Sequence, residues 1–183
     1  MVYALWHVMV LVVILMLSAQ VWAETEGQRR VSGRSYSVPV PHGFVLFKNR
    51  RNLQTEQLRA AGGLVLVQRK RPSFENAFLA SIVVVPTQLP KDFTLEDQTA
   101  CAKIAKGTAD SVVGTVQTAE IVDLSNGKHC QYNLRAQDNT NRGATGTIFS
   151  TSAQSWVVTC NYDIRDVPAI SACTQVINGW KFE

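Results

Sequence analysis

Two histidines and four cysteines carry most of the chemistry open to this chain beyond its amino-terminal segment. Nucleophilic hydrolysis needs a Ser or Cys, a His within reach and an acid to orient the imidazole. His42 stands in the turn-forming stretch Pro39-Val40-Pro41-His42-Gly43, and His129 stands in an alternating strand pattern. No Gly-x-Ser-x-Gly is present, and no catalytic residue is assigned. The expectation is a protein that is not an enzyme, with a small envelope hydrolase built on His42 or His129 as an alternative. Neither histidine has a second His, Asp or Glu at metal-ligand spacing, so no metal site is expected. Gly62-Gly63 lacks the following Lys-Ser/Thr of a phosphate loop, and no cofactor is expected.

The residues that point to binding are cationic. From Arg29 to Arg71 the chain carries ten basic side chains against Glu56 alone, a net of +9, whereas from Pro72 onward the net is −3. Clustered cations raise the local potential and steer anions. Within this portion Arg50, Arg51, Arg69, Lys70 and Arg71 are the candidate contacts. A second candidate is the polar row His129, Gln131, Asn133, Arg135 and Gln137 along one face of a strand, a possible hydrogen-bonding platform; its simpler reading is the wet face of a half-covered sheet.

The first 23 residues decide where such a surface works. Val2 to Leu17 is an almost unbroken apolar run, and Val21-Trp22-Ala23 places small residues where a signal peptidase reads them. Residues 1–23 are expected to be a cleaved signal peptide, and the protein to be periplasmic or secreted. Retention of the segment as an anchor is the alternative, and the only route to membrane contact. In that compartment the partner is an envelope protein or an anionic envelope polymer, and nucleic acid is excluded.

Residues 24–33 are polar and expected to form a flexible arm, followed by a single domain over residues 34–183. Arg34 to Val40 reads as an edge strand. Gly43 to Lys48 and Gly63 to Arg69 read as a hairpin with a short helix, Thr55 to Ala61, between them. Ala77 to Val85, with Ile82-Val83-Val84-Val85, reads as a central strand. Thr94 with Asp97 makes a capping box for a helix that carries Cys101, Ile104, Ala105, Thr108 and Val112 on one face and closes at Gly114. Asn126-Gly127 marks a tight hairpin turn. The return strand puts Cys130, Tyr132, Leu134 and Ala136 on one face. Ala144 to Thr151 and Gln154 to Tyr162 form a further hairpin. Asp166 caps a last helix with Ala169, Ile170, Cys173, Val176 and Ile177 inward, and Trp180 and Phe182 close the chain.

Cys101, Cys130, Cys160 and Cys173 are spaced by 29, 30 and 13 residues, which fits no zinc or redox motif and leaves three disulfide connectivities. Cys101 and Cys173 fall on inward helix faces, and Cys130 and Cys160 on inward strand faces. Pairing each helix to its strand predicts Cys101–Cys130 and Cys160–Cys173. On the chain-entropy model the shorter loop stabilises by about 3 kcal/mol and the longer by somewhat more.

The order of these elements resembles that of PsbP-like domains. Val38-Pro39-Val40-Pro41-His42-Gly43-Phe44 is similar to their strand–proline–glycine–aromatic opening. Trp156-Val157-Val158-Thr159-Cys160 in the meander and Gly179-Trp180-Lys181-Phe182 after the closing helix match the family's order as well. The resemblance covers most of Arg34 to Glu183 and lies in architecture. It implies an α+β sandwich, a twisted antiparallel sheet flanked by a long central helix and a C-terminal helix, used for binding or assembly. It carries over no catalytic residue. Two roles follow: a non-enzymatic binding or accessory protein, or an immunity or inhibitor protein directed at an envelope-targeted toxin or hydrolase.

Overall fold

A computed structural model describes residues 29–48, 53–89, 93–94, 96–138 and 141–183. The expected signal peptide, half of the expected arm (residues 24–28), and Arg50 and Arg51 lie outside the described residues. The chain runs β1 (Arg30–Ser32), β2 (Tyr36–Pro39), β3 (Phe44–Leu46), α1 (Leu53–Ala60), β4 (Leu64–Gln68), β5 (Ser81–Thr87) and α2 (Gln98–Ser111). It continues through β6 (Gly114–Leu124), β7 (Gly127–Ala136), β8 (Arg142–Ser150), β9 (Ser155–Asp163), α3 (Val167–Asn178) and β10 (Lys181–Phe182).

Seven strands form one sheet in the order β3-β4-β5-β9-β8-β7-β6, every neighbouring pair antiparallel. β1, β2 and β10 form a second, three-stranded sheet. Because side chains alternate across a strand, the large sheet builds two cores. On one face Cys130, Tyr132, Leu134 and Ile148 pack under Cys101, Ala105 and Ala109 of α2. On the other, Phe149, Trp156, Val158, Cys160 and Tyr162 meet α3 and the small sheet through Cys173, Val176, Tyr36 and Val38. The fold is thus the expected α+β sandwich. The ring of Trp180 lies between those of Tyr36 and Phe149, each stacked on it with centroids 4.4 Å apart.

Both disulfides join a helix to the sheet as the inward-face argument requires. Cys101–Cys130 ties α2 to β7, and Cys160–Cys173 ties α3 to β9, with Cα separations of 5.5 and 5.9 Å.

Local details differ from the sequence reading. Arg30–Ser32 of the expected arm pair with Ser37–Pro39 as β1. β2 is consequently the middle strand of its sheet, not an edge. The Arg30 guanidinium secures this pairing by donating to the Ser37 and Gly179 carbonyls at 2.8 and 2.9 Å. Asp97, not Thr94, caps α2: its Oδ1 accepts from the amides of Thr99 and Ala100 at 2.8 and 3.1 Å. The helix ends at Ser111, and Val113, not Gly114, takes the left-handed backbone position (φ 52°). Gly114 is already paired in β6, opposite Ala136.

Candidate functional site

Three segments far apart in sequence meet at one end of the sheet. β2 ends at Pro39, and the chain turns through Pro41-His42-Gly43, where Phe44 N–H donates to the Pro41 carbonyl at 3.1 Å. Gly43 sits at φ 79°, a conformation that glycine adopts without a Cβ clash. β4 ends beside this turn, and Arg69 N–H donates to the Gly43 carbonyl at 2.8 Å. The N-terminal strand arrives on the other side, its Arg29 carbonyl accepting from Val40 N–H at 2.6 Å. Gln68 anchors the floor: its carboxamide donates to Asp166 Oδ2 at 2.9 Å and accepts from the Ala80 amide at 3.1 Å.

The result is a cleft of about 440 Å³. Arg29, His42, Arg69 and Lys70 line its polar side, and Val40, Pro41 and Phe44 its apolar side. Arg71 is exposed just beyond it. Among the described residues no carboxylate lines the cleft.

Among the described residues the cleft cations are unengaged, a state they share with Lys48, Lys103, Lys106, Arg135 and Lys181. Arg165 holds Asp163 at 2.7 Å and lies over the Phe74 ring; its hydrogen bonds keep the Asp163 carboxyl below the usual range. Lys128 pairs with Glu96, Arg59 with Glu56, and Arg142 lies over Phe78. Arg34 donates to the Ala60 carbonyl. Among the described residues, Arg29, Arg69, Lys70 and Arg71 have no such partner. A group of like charges without counter-charges raises the potential of the cleft and attracts anions.

The second set of expected contacts lies elsewhere. β7 is four strands across from β4 in the sheet order, about 19 Å at normal strand spacing. The structure therefore does not bring Arg69 and Lys70 together with the β7 row. That row is also not uniformly wet. His129 is 2% exposed, because the C-terminal segment and Phe149 cover it. Its two ring nitrogens face acceptor oxygens, Nδ1 the Ile148 carbonyl at 3.1 Å and Nε2 the Asn126 Oδ1 at 2.8 Å, so the neutral ring donates to one of them, while Asn126 Nδ2 donates to the Trp180 carbonyl at 3.3 Å. Burial holds the imidazole below its ordinary pKa, with the Ile148 bond acting the other way. Gln131 and Asn133 are half-buried. Asn133 joins a cross-strand chain, donating to Thr118 Oγ1 at 2.8 Å and accepting from Thr145 Oγ1 at 2.7 Å. Arg135 is exposed and lines a separate 300 Å³ hollow beside the end of α2.

Arg29 and His42 complete the cleft, and the sequence reading did not group them with Arg69 and Lys70. The available signal was the +9 stretch, which contains all four positions. Among the described residues the His42 ring makes no hydrogen bond, and His129 uses both nitrogens structurally. No group of three or more His, Cys, Asp or Glu side chains suited to a metal ion occurs among the described residues. No described helix is long and apolar enough to cross a membrane.

The architecture has counterparts among solved structures. No family model matches the sequence, and no curated protein matches it. The fold is PsbP-like. It is similar to Saccharomyces cerevisiae Mog1p, described as a Ran-binding protein, at TM-score 0.60 and 12% identity over 85% of this chain and 95% of that one. It is similar to cyanobacterial PsbP (CyanoP) from Synechocystis at TM-score 0.57 and 16% identity, covering 85% and 92%. It also resembles LpqN, involved in cell envelope biogenesis of Mycobacterium tuberculosis, at TM-score 0.52 and 15% identity, covering 84% and 89%. At these identities the likeness is one of fold.

Proposed function

We propose that the protein is a non-enzymatic accessory protein of the cell envelope that holds an anionic partner at the Arg29–His42–Arg69–Lys70 cleft. The observation that carries this reading is the convergence of three cationic side chains, without a counter-charge among the described residues, on a site stitched together by backbone hydrogen bonds. The partner is an envelope protein with an acidic surface or an anionic envelope polymer. Export by cleavage after Ala23 and folding of one domain over residues 34–183, with Arg30–Ser32 of the arm joined to it as β1, belong to the same proposal. Two disulfides suit an oxidising compartment. Use of this scaffold in a Ran-binding protein and in an envelope-biogenesis protein supports a binding role.

The test is affinity capture from envelope extract with the disulfide-bonded protein and with Arg69→Glu/Lys70→Glu. The expected result is a partner retained by the native protein, released as salt is raised and lost from the double variant. Equal retention of the same partner by both proteins would overturn the reading.

A further inference from the structure

The chemistry of the cleft can be narrowed, on the reading that it is the binding site. We infer that it takes a phosphate monoester carried on a small apolar group. Arg29 and Arg69 each present five N–H groups in a planar fork, Lys70 three, and His42 adds a ring nitrogen. A single carboxylate has two oxygens and is matched by one bidentate arginine. A phosphate monoester offers three terminal oxygens and close to two negative charges at neutral pH, so it can engage donors from several cations at once.

Val40, Pro41 and Phe44 give the cleft an apolar side next to its cationic one. Phe44 is 4% exposed and Pro41 is buried, so the apolar surface left open is that of Val40 and the Gly43 turn, which an ester's organic group would cover and a free inorganic anion would not. No heavy atom lies within 4 Å of the place a Gly43 Cβ would occupy, so the turn leaves the approach open. Arg165, Arg142, Lys128 and Arg59 are each engaged by a carboxylate or an aromatic ring, whereas Arg29, Arg69 and Lys70 have no such partner among the described residues and line one cleft.

The ester can be a free metabolite or a lipid headgroup, and the experiment separates them. Phenyl phosphate, phenylacetate and inorganic phosphate are titrated at pH 7.5 into the disulfide-bonded protein, following the backbone amides of Gly43 and Arg69 by NMR. In parallel, binding is measured to vesicles carrying phosphatidic acid, a monoester, or phosphatidylglycerol, a diester, at matched surface charge. The expected result is at least a tenfold preference for the monoester in one arm, with phenyl phosphate favoured over both inorganic phosphate and phenylacetate if the source is free. That preference should fall at least tenfold in Arg69→Glu/Lys70→Glu and persist in Arg142→Glu, outside the cleft. The inference is overturned if neither arm prefers the monoester, or if the double variant retains the preference. Partner capture that still depends on Arg69 and Lys70 would then leave the broader reading standing, and its loss would remove both.

Discussion

The side chain of Gln98 is hydrogen-bonded to the backbone of Ile121 as if it were a neighbouring strand. Its carboxamide oxygen accepts from Ile121 N–H at 3.2 Å while its Nε2 donates to the Ala119 carbonyl at 2.5 Å. β6 is the outer strand of the large sheet, and an unpaired strand edge is a template for self-association. The first residue of α2 thus occupies part of the edge of the strand that follows the helix.

Gln98→Ala is expected to cost about 1 kcal/mol, the net worth of exposed hydrogen bonds, and to promote concentration-dependent self-association. Gln98→Glu should fall between, since a carboxylate can accept from Ile121 but cannot donate to Ala119. Urea unfolding and size-exclusion light scattering check both. A monomeric Gln98→Ala with native stability would show that the edge needs no guard.

His129 makes stability depend on pH with a definite sign. Burial lowers its folded-state pKa, so the unfolded chain takes up the proton first as pH falls. Its stabilising contribution is complete above the unfolded value, about 6.5. Below that it is lost by up to about 1.4 kcal/mol per pH unit, until the folded protein protonates as well. Urea midpoints at pH 7.5, 6.0 and 5.0 should fall more steeply for the native protein than for His129→Gln. Parallel trends would rule out His129 as the source.

Trp180 holds the two sheets together through its faces. Trp180→Ala should cost about 3–5 kcal/mol, as for other buried aromatic truncations. Trp180→Phe retains a ring between Tyr36 and Phe149 and should cost under about half as much. Its buried indole Nε1–H has no acceptor among the described residues, so the phenylalanine forfeits no indole hydrogen bond. Thermal melts of the two variants decide it; equal losses would mean that the stack is not what matters.

Val113 is a β-branched residue with a left-handed backbone, and its side chain is 69% exposed. That conformation costs an L-residue about 1–2 kcal/mol. Glycine removes the strain but gives back about 0.5–1 kcal/mol in unfolded-state entropy. Val113→Gly should therefore raise stability by up to about 1 kcal/mol, seen as a higher Tm. A lower Tm would show that the exposed isopropyl group makes contacts worth more than the strain.

Much of the architecture is legible because local periodicity reports which face of an element is apolar. The helical spacing of Cys101, Ile104, Ala105 and Thr108, and the strand alternation of Cys130, Tyr132 and Leu134, suffice to pair two cysteines across 29 residues. β1 is illegible for the opposite reason. Three residues carry no period, and Arg30–Ser32 become a strand only because Ser37–Pro39 lie beside them. At the start of α2, Thr94 and Asp97 are both competent caps. The register of the first turn, set by packing of Cys101 and Ala105 against the sheet, selects Asp97.

The candidate site divides along the same line. The sequence by itself determines that cations crowd residues 29–71, that the cysteines face inward, and that β7 has two unlike faces. Only the tertiary structure decides that His129 is buried while Arg135 is exposed on the same strand, since α3, β10 and Trp180 cover one end of that face from the far end of the chain. It alone places Arg29, His42, Arg69 and Lys70 around one cleft through the Arg29–Val40 and Gly43–Arg69 backbone bonds. The physical reason is that periodicity encodes a side chain's direction relative to its own backbone. What it meets in that direction depends on segments that no local pattern contains.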